Sequence, residues 1–474
     1  MKSMYDVLIK NGKLVTPDRI YEADIAIKNE KYAAFLLPGT ETEAEAEEVI
    51  DAKGCYVFPG IIDCHAHLNE PGFEYREDFE TGSRAAVAAG CTCLIDMPLN
   101  NNPSLLNKET FEKKLEKISQ HSYVDFALWG GIVGDYDDTQ GSVKNNMADL
   151  VDLQKCGVAA FKGFTCPNGD LFPTVNLGNI RKALEILKPY GALCGFHCEE
   201  YGQVLELTKE MKTKKGRSEK EKIRDFLDAH DAWVEYVAVK NVIDMARITG
   251  GRVHICHVSH PMSAQLVKEA IYEGLPVTAE TCPHYLGYTE EFVLEKGAPA
   301  KCTPPMRKKE DMEKLWDYVL DGTLSCIGSD HSPAADEEKD NQTKDIWSAW
   351  GGLNSIQYFL PMMFDLAVHK KQLSPTLIAK VMDYNPAKIF GLYGKKGAFE
   401  LGFDGDVVIV DPEKPWICDQ KKLFTKGHVS CFEGESGKGA PICTIIRGKV
   451  VAENGRYKEE AFGHGTFVSP VTFQ

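Results

Sequence analysis

The sequence predicts an α/β protein: a (β/α)8 TIM barrel carrying a small β-sandwich made from both chain ends. Three observations carry that expectation. Eight short apolar runs alternate with longer helix-period segments between residues 59 and 389, the outline of parallel strands joined by helical crossovers. Hairpin-like segments flank this block on both sides. The 474 residues exceed one ordinary compact domain, yet suit a barrel of roughly 250 residues or more with a satellite. The expected division is 1–58 for the first part of the small β domain, 59–389 for the barrel and 390–474 for the rest of the β domain.

In chain order, YDVLIKNGKLV, ADIAIKNEKYAAFL and EVIDAKGCYV alternate apolar and polar residues between Asn-Gly and Lys-Gly turns, which suits a small antiparallel sheet. The eight barrel runs follow: GIIDCHAH, CTCLIDMP, VDFALWGG, VAAFKGF, LCGFHCE, RVHICHV, PVTAETC and TLSCIGSD. Between them, NKETFEKKLEKI and SAQLVKEAIYEG repeat apolar side chains three and four residues apart beneath a charged face, as amphipathic helices do. The lysine-rich run 209–224 reads as a solvated helix and its loop. Residues 334–347, after the eighth run, form the longest loop candidate and are placed to serve as a lid. GDVVIVDP and CTIIRGKVVAENG then return to hairpin character.

Composition narrows the function. A formal net charge of -16 repels phosphate backbones and anionic lipid, so neither nucleic acid nor membrane is an expected partner. No window approaches 18 uninterrupted apolar residues and the N-terminus has no small-residue cleavage site, which reads as cytoplasmic. The 15 cysteines are scattered without a CxxC pair, as buried thiols of a reducing compartment would be.

A barrel displays its chemistry where the strands end. Here the ends carry His65 and His67 on the first run, Lys162 on the fourth, His197 on the fifth, His257 on the sixth and Asp330 on the eighth. Each alone has an ordinary explanation. Thirteen histidines in 474 residues give about 0.35 His-x-His pairs by chance. A lone lysine snorkels, a lone histidine is satisfied in the core, and an aspartate caps a helix. Their shared position at one mouth is what carries the signal. Two imidazoles on one strand face, two more beside them and a carboxylate make an N/O donor set suited to zinc or a similar divalent ion.

The runs FPGIIDCHAHLNEPG, AAFKGF, GFHCEE, HICHVSHP, CTPPMR and IGSDHSP resemble the cyclic amidohydrolases of the amidohydrolase superfamily, and NPAKIFGL and GFDGDVVIVDP extend the resemblance over nearly the whole chain. That resemblance implies two divalent metal ions, zinc (Zn) first, with cobalt, manganese and iron as alternatives. It assigns His65, His67 and Asp330 to one ion, His197 and His257 to the other, and a carboxylated Lys162 between them. It also implies a hydroxide shared by the ions as nucleophile and Asp330 as the general base and acid that opens a cyclic amide.

Dihydroorotases carry an arginine two residues after the His-x-His pair, where it grips a substrate carboxylate. This sequence has Asn69 there, which suits a neutral ring. DMPLNNNP, SDHSP and WSAWGGL are more similar to the allantoin-hydrolysing members than to hydantoinases or dihydropyrimidinases, implying a small neutral cyclic ureide as substrate. Asn69, Asn100 and His331 are then candidate substrate contacts, although Asn100 also suits a turn and His331 also suits orienting Asp330. Hydantoinase-like or atypical dihydroorotase activity, and a catalytically silent scaffold homologue, stay open as alternatives. The resemblance further implies a homo-oligomer, specifically a homotetramer.

Overall fold

The computed structural model describes residues 4–40, 46–134 and 145–471. All eight predicted barrel runs form strands: Ile61–Ala66, Cys91–Asp96, Asp125–Gly131, Ala160–Phe164, Leu193–His197, Arg252–Ile255, Val277–Thr281 and Cys326–Ile327. They lie side by side in chain order in one sheet, and every pair is parallel. The first five strands are buried at every residue, because helices cover the outer face while side chains fill the lumen, and this explains why they read as continuous apolar runs.

The eighth strand is only two residues long, and contacts beyond its end do much of the closing. The Asp63 carboxylate accepts the Ser329 N–H at 2.9 Å, and the His67 N–H donates to the His331 carbonyl at 2.7 Å. An isolated parallel bridge between Ala66 and His331 completes the seam.

The two sample helical runs appear as Lys108–Ile118, capped by Asn107 in a capping box, and Pro261–Tyr272. Residues 209–224 span the end of helix Tyr201–Thr213, which buries none of its residues, and the start of Glu219–Ala229. The loop 334–347 is more tightly tied than a free lid. It contains the short helix Asp336–Lys339, Arg76 forks onto Glu338 at 2.6 and 2.7 Å, and the Lys339 ammonium donates to the Lys301 and Trp350 carbonyls at 2.7 Å each.

The chain ends form two sheets. One has four strands, in the order Lys31–Leu36, Asp24–Lys28, Tyr5–Lys10, Ala46–Asp51. The other has seven and joins both ends, because Tyr56–Phe58 pairs antiparallel with Val407–Ile417. Val7, Ile25 and Ile27 pack with Val57, Ile409 and Ile445 in a shared core between the sheets. The expectation of a purely antiparallel sheet needs correction: Tyr5–Lys10 pairs parallel with Ala46–Asp51, and Lys13–Val15 parallel with Tyr56–Phe58. Alternation along a strand reports burial but not the direction of its neighbour. The final segment leaves the sandwich for the barrel, where Phe126 N–H donates to the Thr466 carbonyl at 3.0 Å and Val468 N–H to that of Phe126 at 2.7 Å.

At the amino-terminal end of the barrel strands, Lys396 is buried among Asp125, Asp406 and Asp404, with contacts of 2.7, 2.7 and 3.1 Å. Arg447 adds a second cation on Asp125.

Candidate active site and metal centre

The carboxyl-terminal mouth holds a cavity of about 200 Å³ whose lining includes His65, His67, His197, His257, Asp330 and Asn100. Strand ends deliver the donors. His65 and His67 follow the apolar run of the first strand with ring centroids 5.4 Å apart. Their Nε2 atoms lie 3.2 and 3.6 Å from Asp330 Oδ1. Asp330 adopts a φ of 46°, the left-handed region in which aspartate is tolerated better than most residues. On the other side, His197 Nδ1 faces His257 Nε2 at 3.0 Å. Lys162 is 0% exposed, and its Nζ has no hydrogen-bond partner among the described residues.

Electrostatics keep His67, His257 and Asp330 in ligand form. Burial pushes the His67 imidazole down to about 4, and burial with the nearby charges of Lys162, His197 and His65 holds His257 well below its usual range. Neutral imidazoles offer lone pairs to a cation. Burial works against ionisation of Asp330, but the His65 and His67 imidazoles outweigh it and hold the carboxyl below the ordinary carboxylate range.

Carboxylates behind the ring orient the imidazoles, and the sequence reading missed them. Glu280, from the seventh strand, hydrogen-bonds His65 Nδ1. Glu199 bridges His197 Nε2 and His230 Nδ1 at 2.6 Å each. Pinning one ring nitrogen fixes which nitrogen is free for an ion. Glu280 was legible as a carboxylate inside the apolar run VTAETC, whereas the Glu199–His230 pair joins two separate elements and leaves no local pattern.

The three candidate substrate contacts separate. Asn100 lines the cavity, with Nδ2 3.4 Å from His67 Nδ1. Asn69 is buried beside it without lining the cavity, its φ of 53° giving a backbone reason for asparagine. His331 does not line the cavity either. Its Nδ1 accepts the Ser355 and Ile356 N–H groups at 3.1 and 3.3 Å, and its Nε2 lies 3.8 Å from Glu77. The wall includes residues the sequence reading did not single out, among them Phe164, Asn168, Thr303 and Trp350.

The donors fit a divalent centre on three counts: a carboxylate and two imidazoles converging within 4.8 Å, a facing pair of imidazole nitrogens, and an orphaned amine buried beside them. A parallel barrel with such a set at its mouth defines a class, the barrel hydrolases built around a divalent metal centre. The chain belongs to the amidohydrolase family, whose model matches residues 56–451. Similar proteins include the allantoinases of Bacillus velezensis, 35% identical over 98% of this chain and 98% of that one, and of Deinococcus radiodurans, 34% identical over 95% of this chain and 96% of that one. Among solved structures, the L-hydantoinase (dihydropyrimidinase) of Arthrobacter aurescens superposes with a TM-score of 0.92 at 31% identity, covering 98% of this chain and 100% of that one.

Proposed function

We propose that this protein hydrolyses allantoin to allantoate, adding water across a ring amide and breaking its carbon–nitrogen bond. The observation that carries this reading is likeness to allantoinases along 94–99% of the chain. The cavity agrees in character: among the described residues no arginine or lysine lines it, so a neutral ureide meets amide, hydroxyl and imidazole groups, whereas the carboxylate of dihydroorotate would find no cationic side chain to pair with.

In this reading His65, His67 and Asp330 hold one ion, His197 and His257 a second, and Lys162, carboxylated on Nζ, stands between them. Zinc is the proposed ion. Uptake of carbon dioxide by the Lys162 amine, with loss of a proton, would replace a buried group that has no hydrogen-bond partner among the described residues by an anion that two cations would satisfy. When bound, the ions supply Lewis-acid polarisation of the ring carbonyl and a lowered pKa for the attacking water. Asp330 carries the proton: its carboxylate takes it from the attacking water and returns it to the ring nitrogen as that nitrogen leaves. Glu280 and Glu199 keep the proton-bearing nitrogens of His65 and His197 turned away from the centre. Phe164 and Trp350 wall the cavity and limit water. A homotetramer is proposed from family resemblance.

The test is turnover of allantoin, hydantoin, dihydrouracil and dihydroorotate by the purified protein with zinc supplied. Allantoin is expected to give the highest kcat/KM. A higher value for hydantoin or dihydrouracil would replace this reading with a hydantoinase-type activity, and no turnover of any would favour a silent scaffold.

A further inference from the structure

Inside the barrel lumen, a second set of donors converges outside the catalytic cavity. Cys64 comes from the first strand, His254 from the sixth, Glu280 from the seventh and Cys326 from the eighth. All four are 0% exposed, and none of them lines the cavity at the mouth. Ligand atoms of Cys64, Glu280 and Cys326 lie within 4.8 Å of one another. Cys64 Sγ is 3.2 Å from Glu280 Oε2, and His254 Nε2 is 3.3 Å from that same oxygen. Donors on a tetrahedron with bonds of about 2.0–2.3 Å stand roughly 3.3–3.8 Å apart, so small shifts would admit an ion.

The orientation of His254 points the same way. Its Nδ1 is 2.8 Å from the Thr278 hydroxyl, an outer partner of the kind that fixes a ligating imidazole. Its Nε2 is buried and faces Glu280 Oε2 within the cluster, a contact that an ion would replace. Trp129 and Phe390 pack near this histidine, with ring centroids 6.4 and 5.5 Å from it, which makes the surroundings apolar. Gly328 lets the eighth strand approach closely: a Cβ there would come within 2.8 Å of His65 Cβ and 3.4 Å of Cys64 Sγ.

The geometry points to a structural site for a thiophilic divalent cation such as zinc, held by Cys64, Cys326, His254 and Glu280 within the barrel. Two thiolates, an imidazole and a carboxylate form a donor set suited to zinc. Binding displaces the two thiol protons and any proton shared by His254 and Glu280, and the carboxylate then balances part of the ion's charge. Glu280 links this site to the mouth, since its other oxygen hydrogen-bonds His65.

The proposed catalytic ligands include no sulfur, but Cys256, Cys166 and Cys282 lie within 4.8 Å of His65, His197 and Asp330, so the Cys64 and Cys326 variants, together with sulfur scattering, separate the two sites. X-ray absorption at the zinc edge of the full-length zinc-loaded protein is expected to show sulfur at about 2.3 Å beside nitrogen and oxygen. The cobalt(II)-loaded protein is expected to show thiolate-to-cobalt charge-transfer absorption, and Cys326→Ser to lose it together with one equivalent of metal per chain. Thr278→Val, a milder change, is expected to weaken metal retention at this site about 10- to 100-fold. Nitrogen and oxygen scatterers alone in the metal-loaded wild type would overturn the inference without any variant. A thiolate band that survives in Cys64→Ser and Cys326→Ser would overturn it too, by placing the sulfur ligand elsewhere. Failure to hydrolyse allantoin would leave the sulfur signal untouched, so the two readings fail separately.

Discussion

The two ends of the barrel bury charge in opposite ways. At the amino-terminal end, Lys396 meets three aspartates and Arg447 reinforces one of them. At the mouth, the amine of Lys162 is equally buried, faces the Phe164 ring and, like His257 Nδ1, has no conventional hydrogen-bond partner among the described residues. A buried charge with its full set of partners holds a fold together, and removing one partner strands the rest. A buried polar atom without a partner is a cost that selection retains where something else is to bind. The contrast sets a paired cluster against unpaired donors within one barrel, although Asp383, buried away from the mouth, also has carboxylate oxygens without a hydrogen-bond partner among the described residues.

Changing the two lysines breaks the comparison most directly. Lys162→Met is expected to lower kcat for allantoin by at least the ~10²–10⁴-fold typical of losing a general base, while the metal-stripped variant melts at or above the wild-type temperature, because an unpaired amine has become apolar. Asp330→Asn is expected to lower kcat by ~10²–10⁴-fold and to leave folding intact, as steady-state kinetics and circular dichroism would report. Lys396→Met is expected to behave in reverse, costing about 3–5 kcal/mol in denaturant unfolding with kcat of the folded fraction nearly unchanged. Glu199→Gln is expected to weaken metal retention or activity about 10- to 100-fold, measured by chelator competition. Asn100→Ala is expected to raise KM with little change in kcat, whereas Asn69→Gly, which keeps the left-handed backbone, is expected to leave both within about twofold. An unchanged KM for Asn100→Ala would remove Asn100 from the candidate substrate contacts.

Much of this was legible in the sequence because the signals are local. Each barrel strand is an apolar run bounded by turn residues, and each proposed donor is the polar residue that ends one. What escaped the reading depends on contacts distant in sequence. Glu199 and His230 look like ordinary surface residues until two elements bring them together. The parallel pairs of the sandwich cannot be read from alternation, and the return of residues 466–468 to the third barrel strand has no periodicity to announce it. Asn69 carries two readings at once: a position that separates substrates by resemblance also has a backbone reason for its side chain, a φ of 53°.

The seam between the first and eighth strands has a consequence for assembly. Asp63 and Ser329, which close it, lie 266 residues apart in sequence, and His65, His67 and Asp330 stand on its two sides. During synthesis the histidines emerge early and wait for the aspartate until nearly the whole barrel has been made. The centre at the mouth is complete only when the ring of strands shuts. An ion held by these three side chains would act as a clasp across the joint, linking metal retention to the time the barrel stays closed.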